Sequence, residues 1–521
     1  MANGFRPVQR DQLMLLPPDM REWLPPGHLA WCVIDLAEAL DLAAFGARPG
    51  RSAAGRAAYD PRVLLGLLVY GYATGVRSSR AIERACWTDV GFRVICAGDV
   101  PDHVTIARFR REHFADPAAM AGLFGQVLAT AAGAGLGRLG LIGLDGTKIA
   151  ASASKEANRG EEKLAELAGQ LLAEAERADA AEDALFGQAR GDEPPEGFAD
   201  PVTRRERIMA AHQRMVRDQQ AAAAGSEAKA GQFRQRRAEG KPTGPAPKGQ
   251  AGQLTAETAD AVRARCQERY DDWHARNAAS IAATGKGLPG FRPVPPGQHC
   301  RVRRAEARAA AATGRDQAAA ASGGNCANIT DPDSRLMPVR GGGFIQGYNA
   351  QAAWSADRLA LAALVTTDTT DYASYQPLLN QVTASAAIIA ARAPTELHRK
   401  IAAPGIILAD TGYLSDANLT SDGPDRLIAT SNRRARPGDP EPRQATTTAA
   451  RAMTARLAAS PANTQYKTRA PIAEGPFGNL KHNLGFRRFQ LRGLRHVTGE
   501  WTFQLATANI LKIHATRTAA T

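Results

Sequence analysis

A short apolar stretch with one acidic residue near its centre limits most strongly how this chain can fold. Residues 139–150 read LGLIGLDGTKIA, a pattern that predicts a buried β-strand over about residues 138–151. Asp145 lies within that strand. A buried carboxylate without a partner is costly, so Asp145 requires an arginine, a set of backbone amides or a metal ion beside it.

A second aspartate closes another apolar run. Residues 405–418 read GIILADTGYLSDAN, which predicts a buried strand that ends at Asp410. If the two strands pair, their aspartates can lie side by side at about 5 Å between Cβ atoms. Two such carboxylates repel each other unless a cation lies between them.

A third carboxylate stands in a basic segment. Residues 451–521 contain eleven Lys and Arg residues and two acids, Glu474 and Glu500. Glu474 is either neutralised by these cations or used to bind a metal. Three converging carboxylates suit Mg²⁺, and two such ions about 3.5–4 Å apart can serve phosphodiester chemistry.

Charge and composition bound the class of protein. The chain has 521 residues and a net charge of +13, which makes a polyanion such as nucleic acid a candidate partner. Its six cysteines are scattered without a C-x-x-C pair, which argues against a zinc module or a disulfide framework and fits a reducing cytosol. No apolar run reaches about 18 residues and the N-terminus lacks an apolar signal core, so we expect a cytoplasmic protein without a membrane span.

The N-terminal region, residues 1–135, is predicted to be an all-helical domain. Asp60 is the expected N-cap and Pro61 the first residue of one helix. A later helix, DHVTIARFRREHF, carries an apolar stripe beside three arginines, and a series of short helices ending in such a helix is similar to a helix-turn-helix DNA binder. We therefore expect DNA contacts from Arg108, Arg110 and Arg111; an ordinary helical domain with a solvated basic face is the alternative.

Residues 154–325 are predicted to form a helical insertion. Leucines and alanines recur at near-heptad spacing from Leu164 to Leu185, and a second helix is expected in VTRRERIMAAHQRMVRDQQ. A flexible linker over residues 240–253 precedes a third helix over residues 254–283. These features favour an antiparallel coiled coil; a partly disordered linker is the alternative.

The remaining segments, 136–153 and 326–521, are predicted to form one α/β core. Residues 343–354 and 359–367 indicate a β-hairpin, and DRLIATS indicates a further strand. The chain from about residue 448 is predicted to be mostly helical. This order matches a ribonuclease H-like fold in which the helical insertion separates the first core strand from the second.

Three motifs together resemble those of a DDE transposase from a bacterial insertion sequence. The first two are GLDGTKIAASASKEANR around Asp145 and ILADTGYLSDANL around Asp410. The third joins Tyr466, Arg469, Glu474 and Lys481 and is similar to the Tyr–Arg–Glu–Lys signature of one transposase group, with a gap of four residues between Arg469 and Glu474 where the usual signature has three. GYNAQAAW, NITDPDSRLMP and the N-terminal helical region are also similar to segments of such enzymes.

The resemblance implies a set of roles. Asp145, Asp410 and Glu474 would be the catalytic triad that binds two Mg²⁺ ions, with Mn²⁺ able to substitute. The enzyme would nick transposon ends by hydrolysis and join the freed 3′-OH to target DNA. Its partners would be double-stranded DNA and further copies of the chain, in a dimer or larger assembly associated with the bacterial nucleoid. Phosphate contacts would come from Tyr466, Arg469 and Lys481 and, on charge grounds alone, from Arg487, Arg488, Arg492 and Arg495.

Several alternatives remain open at this stage. The chain could be a catalytically silent DNA-binding protein descended from a transposase, a metal-dependent nuclease that does not join DNA, or a helical scaffold.

We expect Trp501 to be a core residue rather than a base-stacking one, and His482 to lie on the surface. The acids of DPDSR, Asp331 and Asp333, are expected in a loop. Glycines 135, 137 and 140 match a dinucleotide-binding pattern, but they precede a strand instead of following one, which argues against such a site.

Overall fold

The computed structural model describes residues 19–46, 58–160, 163–164, 166–167, 170, 199–239, 250–290, 292–321, 326–339, 343–430 and 447–520. The chain divides into two compact units. The first comprises residues 1–155 and 333–521, and the second comprises residues 156–332.

Helices open the first unit. They are α1 (Leu29–Ala39), α2 (Pro61–Thr74), α3 (Ser79–Thr88), α4 (Val90–Ile95), α5 (His103–Phe114) and α6 (Pro117–Gly133). The predicted start of α2 is confirmed, because the Asp60 carboxylate accepts a hydrogen bond from the Arg62 amide and Pro61 is the first helical residue. The apolar faces of these helices join the core of the same unit, whose sheet begins with β1 (Leu141–Ala150).

The second unit is helical and enters and leaves through a two-stranded ribbon. The ribbon pairs β2 (Asn158–Gly160) with β3 (Cys326–Asn328) in antiparallel fashion. Between these strands lie α7 (Ala199–Ala238), α8 (Ala251–Thr284) and α9 (Cys300–Ala321). Leu164 packs with Ala211 and Met215 of α7, whereas the heptad positions from residue 171 to 185 and most of the predicted linker lie outside the described residues.

A six-stranded mixed sheet forms the centre of the first unit. Its remaining strands are β4 (Arg335–Pro338), β5 (Phe344–Ser355), β6 (Ala360–Thr366), β7 (Ile406–Ala409) and β8 (Asp425–Ile428). The strand order is β4-β5-β1-β7-β8. The strand β6 also pairs with β5, over residues 349–354, whereas β4 pairs with residues 344–347 of the same strand. The pairing is antiparallel between β1 and β5, and parallel from β1 to β7 and from β7 to β8.

The hairpin of β5 and β6 and the strands β7 and β8 lie where the sequence predicted them. The edge strand β4 was missed, since four residues ending in a proline give little strand pattern and their neighbours form a turn. The mixed α/β architecture with a helical N-terminal region is compatible with a ribonuclease H-like core.

Helices complete the first unit. They are α10 (Tyr375–Arg392), α11 (Glu396–Ile401), α12 (Asp416–Thr420), α13 (Thr448–Ala458), α14 (Ala462–Lys467), α15 (Gly475–His482) and α16 (Leu494–Ala520), with a π-helical turn at Ala470–Glu474. The C-terminal region is therefore mostly helical, as predicted. In the part of the chain that the structure describes, no helix combines the length and apolarity that crossing a bilayer requires.

Candidate active site

The sheet places Asp145 and Asp410 next to each other. The register of β1 and β7 pairs Gly143 with Leu408, and each aspartate follows two residues later in its own strand direction. Each carboxylate accepts a hydrogen bond from a nearby backbone amide at 2.9 Å, Asp145 from Gly146 and Asp410 from Gly412. Asp145 in β1 and Asp410, which directly follows β7, therefore lie at the same level of two neighbouring parallel strands.

Burial and neighbouring carboxylates disfavour the charged forms of this pair. Burial, followed by the charge of Asp410, raises the pKa of Asp145 to about 7, although Arg469 acts in the opposite direction. Burial also raises the pKa of Asp410, against the stabilising hydrogen bond from the Gly412 amide. Two partly buried acids with raised pKa values are typical of a site whose charged state is favoured by a further cation.

Glu474 reaches the same region from the π-helical turn. A Cβ atom on Gly143 would lie 2.9 Å from Ala473 Cβ and 3.0 Å from Ile472 Cγ2, so the glycine in β1 allows this turn to approach the strand closely. π-helical turns occur often at functional sites. The side chain of Glu474 is 49% exposed and forms an ion pair with Arg469.

Arg469 is the cation of this cluster. Its side chain is 14% exposed, and Nη1 lies 4.0 Å from Asp145 Oδ2. Burial lowers the pKa of Arg469, but the neighbouring Tyr466, Asp145 and Glu474 more than offset that effect and raise it. Tyr466 donates a hydrogen bond from its hydroxyl group to the Ala409 carbonyl at 3.2 Å, which ties this helical segment to the end of β7.

The three acids do not form a closed metal cage in this structure. Among the described residues, no group of three or more His, Cys, Asp or Glu side chains has the arrangement that holds a metal ion. Arg469 forms an ion pair with Glu474 and lies beside Asp145. Asp145 and Asp410 nevertheless fit a hard divalent cation, since they are neighbouring carboxylates and such a cation would offset the repulsion between them.

Lys481 lies on the same side of β1 as Asp145. Its ammonium group donates to Thr147 Oγ1 and to the Lys148 carbonyl, the latter at 3.3 Å. Thr147 is two residues from Asp145, so both side chains leave the same face of the strand. Burial and the charge of Arg487 lower the pKa of Lys481, and Asp145 partly offsets this effect.

A fourth carboxylate near the site escaped the sequence analysis. Asp371 Oδ1 accepts hydrogen bonds from Asn349 and Gln351, each at 2.7 Å, and from Lys148 at 3.3 Å. Its charge contributes to the raised pKa of Asp410. In the sequence Asp371 stands in a polar stretch before a helix, a position typical of a capping residue, so the pattern carried no functional signal.

The predicted DNA-binding arginines divide into exposed and buried ones. Arg108, Arg111, Arg487, Arg488, Arg492 and Arg495 are exposed. Arg110 is only 7% exposed and donates a hydrogen bond to the Arg77 carbonyl at 2.6 Å. The predicted DNA contact therefore does not hold for Arg110, because its guanidinium group points into the protein rather than to solvent.

Other expectations about single residues are confirmed. Trp501 is fully buried, and its indole N–H donates to the Gln351 carbonyl at 2.8 Å, so it is a core residue. His482 lies on the surface beside Arg487. Asp333 belongs to the loop before β4 and accepts a hydrogen bond from the Leu494 amide at 2.7 Å, which caps α16.

Comparison with known families identifies two regions. Residues 18–112 match a family described as a transposase domain of the DUF772 type, and residues 432–514 match a family described as a transposase DDE domain. The first match covers α1 to α4 and most of α5, and the second includes Tyr466, Arg469, Glu474 and Lys481. No curated protein and no solved structure matches the chain. The two domain matches indicate a DNA transposase of the DDE type.

Proposed function

We propose that the chain binds the terminal repeats of an insertion sequence, nicks them by metal-dependent hydrolysis and joins the freed 3′-OH to target DNA. The observation that carries this proposal is the position of Asp145 in β1 next to Asp410, which directly follows the neighbouring parallel strand β7, with Arg469 and Glu474 close by. In the proposal Asp145, Asp410 and Glu474 are the catalytic carboxylates.

In the proposal the same three carboxylates bind two divalent ions, Mg²⁺ or in its place Mn²⁺. When bound, such ions activate an attacking oxygen and stabilise a leaving one in phosphodiester chemistry. Asp145 and Asp410 support this assignment because burial and neighbouring carboxylates raise their pKa values, so a nearby cation would favour their charged forms. Arg469 is the guanidinium group that a phosphate would meet beside these acids, and bidentate binding of phosphate suits that group.

The proposed DNA surface takes its basic residues from several segments of the chain. Lys481 contacts β1 two residues beyond Asp145, and the exposed Arg487, Arg488 and Arg492 follow in the next ten residues or so of the chain. Tyr466 and Arg469 complete this group, and Arg108 and Arg111 of α5 add a basic helix face. Phosphate contacts of this kind give affinity and register without reading sequence.

The proposed domain organisation assigns these roles to separate parts of the chain. Residues 1–135 would bind DNA, residues 136–153 and 326–521 would form the catalytic core, and residues 154–325 would be an accessory insertion. Transposition requires two ends to be handled together, so we infer that a homodimer or larger assembly acts on double-stranded DNA.

Cleavage and joining of labelled DNA that carries the flanking sequences of the gene would test the proposed function. Wild-type protein with Mg²⁺ should nick and join this DNA, whereas Asp145→Ala should lose at least about 10³-fold in rate and keep its affinity for DNA. Asp368→Ala, which changes an exposed aspartate after β6, is the matched control and should behave as wild type.

The other outcomes point to different proteins. Metal-dependent cutting without joining would identify a nuclease. Binding of the ends by wild-type protein with no cutting under any metal condition would show that the catalytic assignment is wrong and that the chain only binds DNA.

A further inference from the structure

Arg77 connects the N-terminal helices to the segment that follows α15. It lies in the turn between α2 and α3, and its guanidinium group donates to the carbonyl oxygens of Leu484 at 2.6 Å and Gly485 at 2.5 Å. The same group lies 5.2 Å from the centre of the Phe486 ring. One side chain therefore holds three consecutive residues of a segment more than 400 positions away in the sequence.

The segment held in this way ends the helix that carries Lys481. The Leu484 amide bonds to the Asn479 carbonyl at 3.1 Å, and the Phe486 amide bonds to the Leu480 carbonyl at 2.8 Å. Gly485 has a φ of +65°, which a glycine adopts readily after a helix. A cation at the carboxyl end of a helix is also favoured by the helix dipole.

The following residues are attached to the strand that bears Asp145. The Ala150 amide donates to the Arg487 carbonyl at 3.2 Å, and the Phe489 amide donates to the Ala150 carbonyl at 2.9 Å. Arg492 donates from Nε to the Ser152 carbonyl at 2.8 Å. Residues 484–492, which we call the basic segment, are thus held by Arg77 at their start and by the end of β1 along the rest.

The backbone of Arg77 is in turn fixed by a contact with α5. The buried Arg110 of α5 donates to the Arg77 carbonyl at 2.6 Å. Glu500 supports the other end of the basic segment, since its carboxylate accepts hydrogen bonds from the Gln490 and Leu491 amides at 3.0 Å. The N-terminal helices therefore contribute to the geometry of the segment that presents Arg487 and Arg488.

We propose that Arg77 is a positioning residue of the transposase active site. It acts through the basic segment to hold Lys481 against β1 near Asp145 and to hold Arg487 and Arg488 at the end of the same strand. This inference rests on the proposed function. It also accounts for an arginine at this position, because a guanidinium group can donate to two neighbouring carbonyl oxygens at once, whereas a lysine presents a single ammonium group.

The decisive variant is Arg77→Lys, which keeps the charge but loses the paired contact. We expect the single-turnover rate of cleavage of the flanking DNA, with Mg²⁺, to fall about tenfold or more, because small displacements of phosphate-contacting groups strongly affect rate. The dissociation constant for the same DNA without divalent metal should change less than about twofold, since the charge is kept. Arg80→Lys, an exposed arginine on α3, is the matched control and should cleave at the wild-type rate.

A double-mutant comparison separates positioning from general damage. If Arg77 acts through Lys481 and its neighbours, Arg77→Lys should have a much smaller effect in a Lys481→Met background than in wild type. If Arg77→Lys fails to fold at the assay temperature, Gly485→Ala perturbs the same segment from within and should show the same loss of rate at unchanged DNA affinity.

Three results would overturn the inference: a wild-type cleavage rate for Arg77→Lys, a loss of DNA affinity with an unchanged rate at saturating DNA, or fully additive effects of Arg77→Lys and Lys481→Met. The second of these would make Arg77 a direct DNA contact. If wild-type protein itself does not cleave the DNA, the proposed function has failed, and that failure is distinct from a failure confined to the variants.

Discussion

Single carboxylates of this protein differ in what surrounds them, and their chemistry follows from that difference. Asp145 and Asp410 are partly buried and close together, and each accepts one backbone hydrogen bond, whereas Glu474 is half exposed and paired with Arg469. Glu500 is buried completely, yet it accepts hydrogen bonds from the Tyr72 hydroxyl group and from two backbone amides. A buried acid with its acceptors satisfied is a structural residue, whereas an acid pair in deficit of donors is a candidate site.

Glu500 gives a prediction about pH. Burial raises its pKa above the usual value of 4.5, so the folded protein binds this proton more tightly than the unfolded chain does. The contribution of this proton to the free energy of unfolding is fully present below the pKa of Glu500 in the unfolded chain. It is lost as the pH rises through the pKa of Glu500 in the folded protein. Glu500→Gln removes this titration, so wild type should exceed the variant in free energy of unfolding most at low pH and less as the pH rises.

Urea unfolding of both proteins between about pH 4.5 and pH 8 would measure this difference. Glu396→Gln, at an exposed glutamate of α11, is the control and should show no such trend. A difference between wild type and Glu500→Gln that is constant across this range would contradict the role of the proton on Glu500.

At the scale of elements, the π-helical turn explains how Arg469 and Glu474 meet. The Gly475 amide bonds to the Ala470 carbonyl, five residues earlier, as in a π-helix. This wider turn accommodates the additional residue between Arg469 and Glu474 and brings the two side chains together in an ion pair. The longer gap in the sequence is therefore compatible with a functional pairing of the two residues.

The close approach of this turn to β1 predicts the effect of a single methyl group. In Gly143→Ala the new Cβ atom would lie 2.9 Å from Ala473 Cβ, so the turn that carries Glu474 must move away from the strand. We expect a loss of about 1–3 kcal/mol in the free energy of unfolding, as for other overpacked cores. The nicking rate should fall about tenfold or more, because Glu474 moves with the turn.

Gly140→Ala is the control for this experiment, since no atom lies within 4 Å of the Cβ that it would add. Thermal melting and nicking assays on the two variants would give the comparison. Equal behaviour of Gly143→Ala and Gly140→Ala would show that the π-helical turn does not depend on its contact with Gly143.

At the scale of the whole molecule, the chain enters and leaves the second unit through a short two-stranded ribbon. β2 and β3 pair over three residues each, with Gly160 opposite Cys326, and the Ile329 amide bonds to the Ala157 carbonyl at 3.1 Å. The two chain segments that lead into and out of this unit are therefore adjacent. None of the candidate catalytic residues lies in this unit.

Excision of the insertion at the ribbon should leave the first unit folded. We expect that replacing residues 161–325 by Asn-Gly joins Gly160 to Cys326 through a two-residue hairpin turn, a connection that this dipeptide favours. The shortened chain should unfold cooperatively, with a melting temperature within about 5 °C of the corresponding wild-type transition. Circular dichroism with thermal melting would measure this, and an aggregated product or a broad non-cooperative transition would show that the first unit needs the insertion in order to fold.

Much of the local structure was predictable from the residues alone. The apolar runs around Asp145 and Asp410 gave the two strands, and Asp60 followed by Pro61 gave the start of α2. These features depend on neighbours in the sequence, on side-chain periodicity and on backbone preferences, which a linear reading contains. The sequence also indicated that Arg469, Glu474 and Lys481 act together, through their spacing.

Only the tertiary structure decided which of these residues face each other and which are buried. Arg110 shares a helix with the exposed Arg108 and Arg111, yet it faces inward and holds Arg77, which no local pattern marked. Asp371 resembled an ordinary cap but lies beside Asp410. The physical reason is that burial and pairing depend on the partner that packs against each face, and here the partners come from positions tens to hundreds of residues apart.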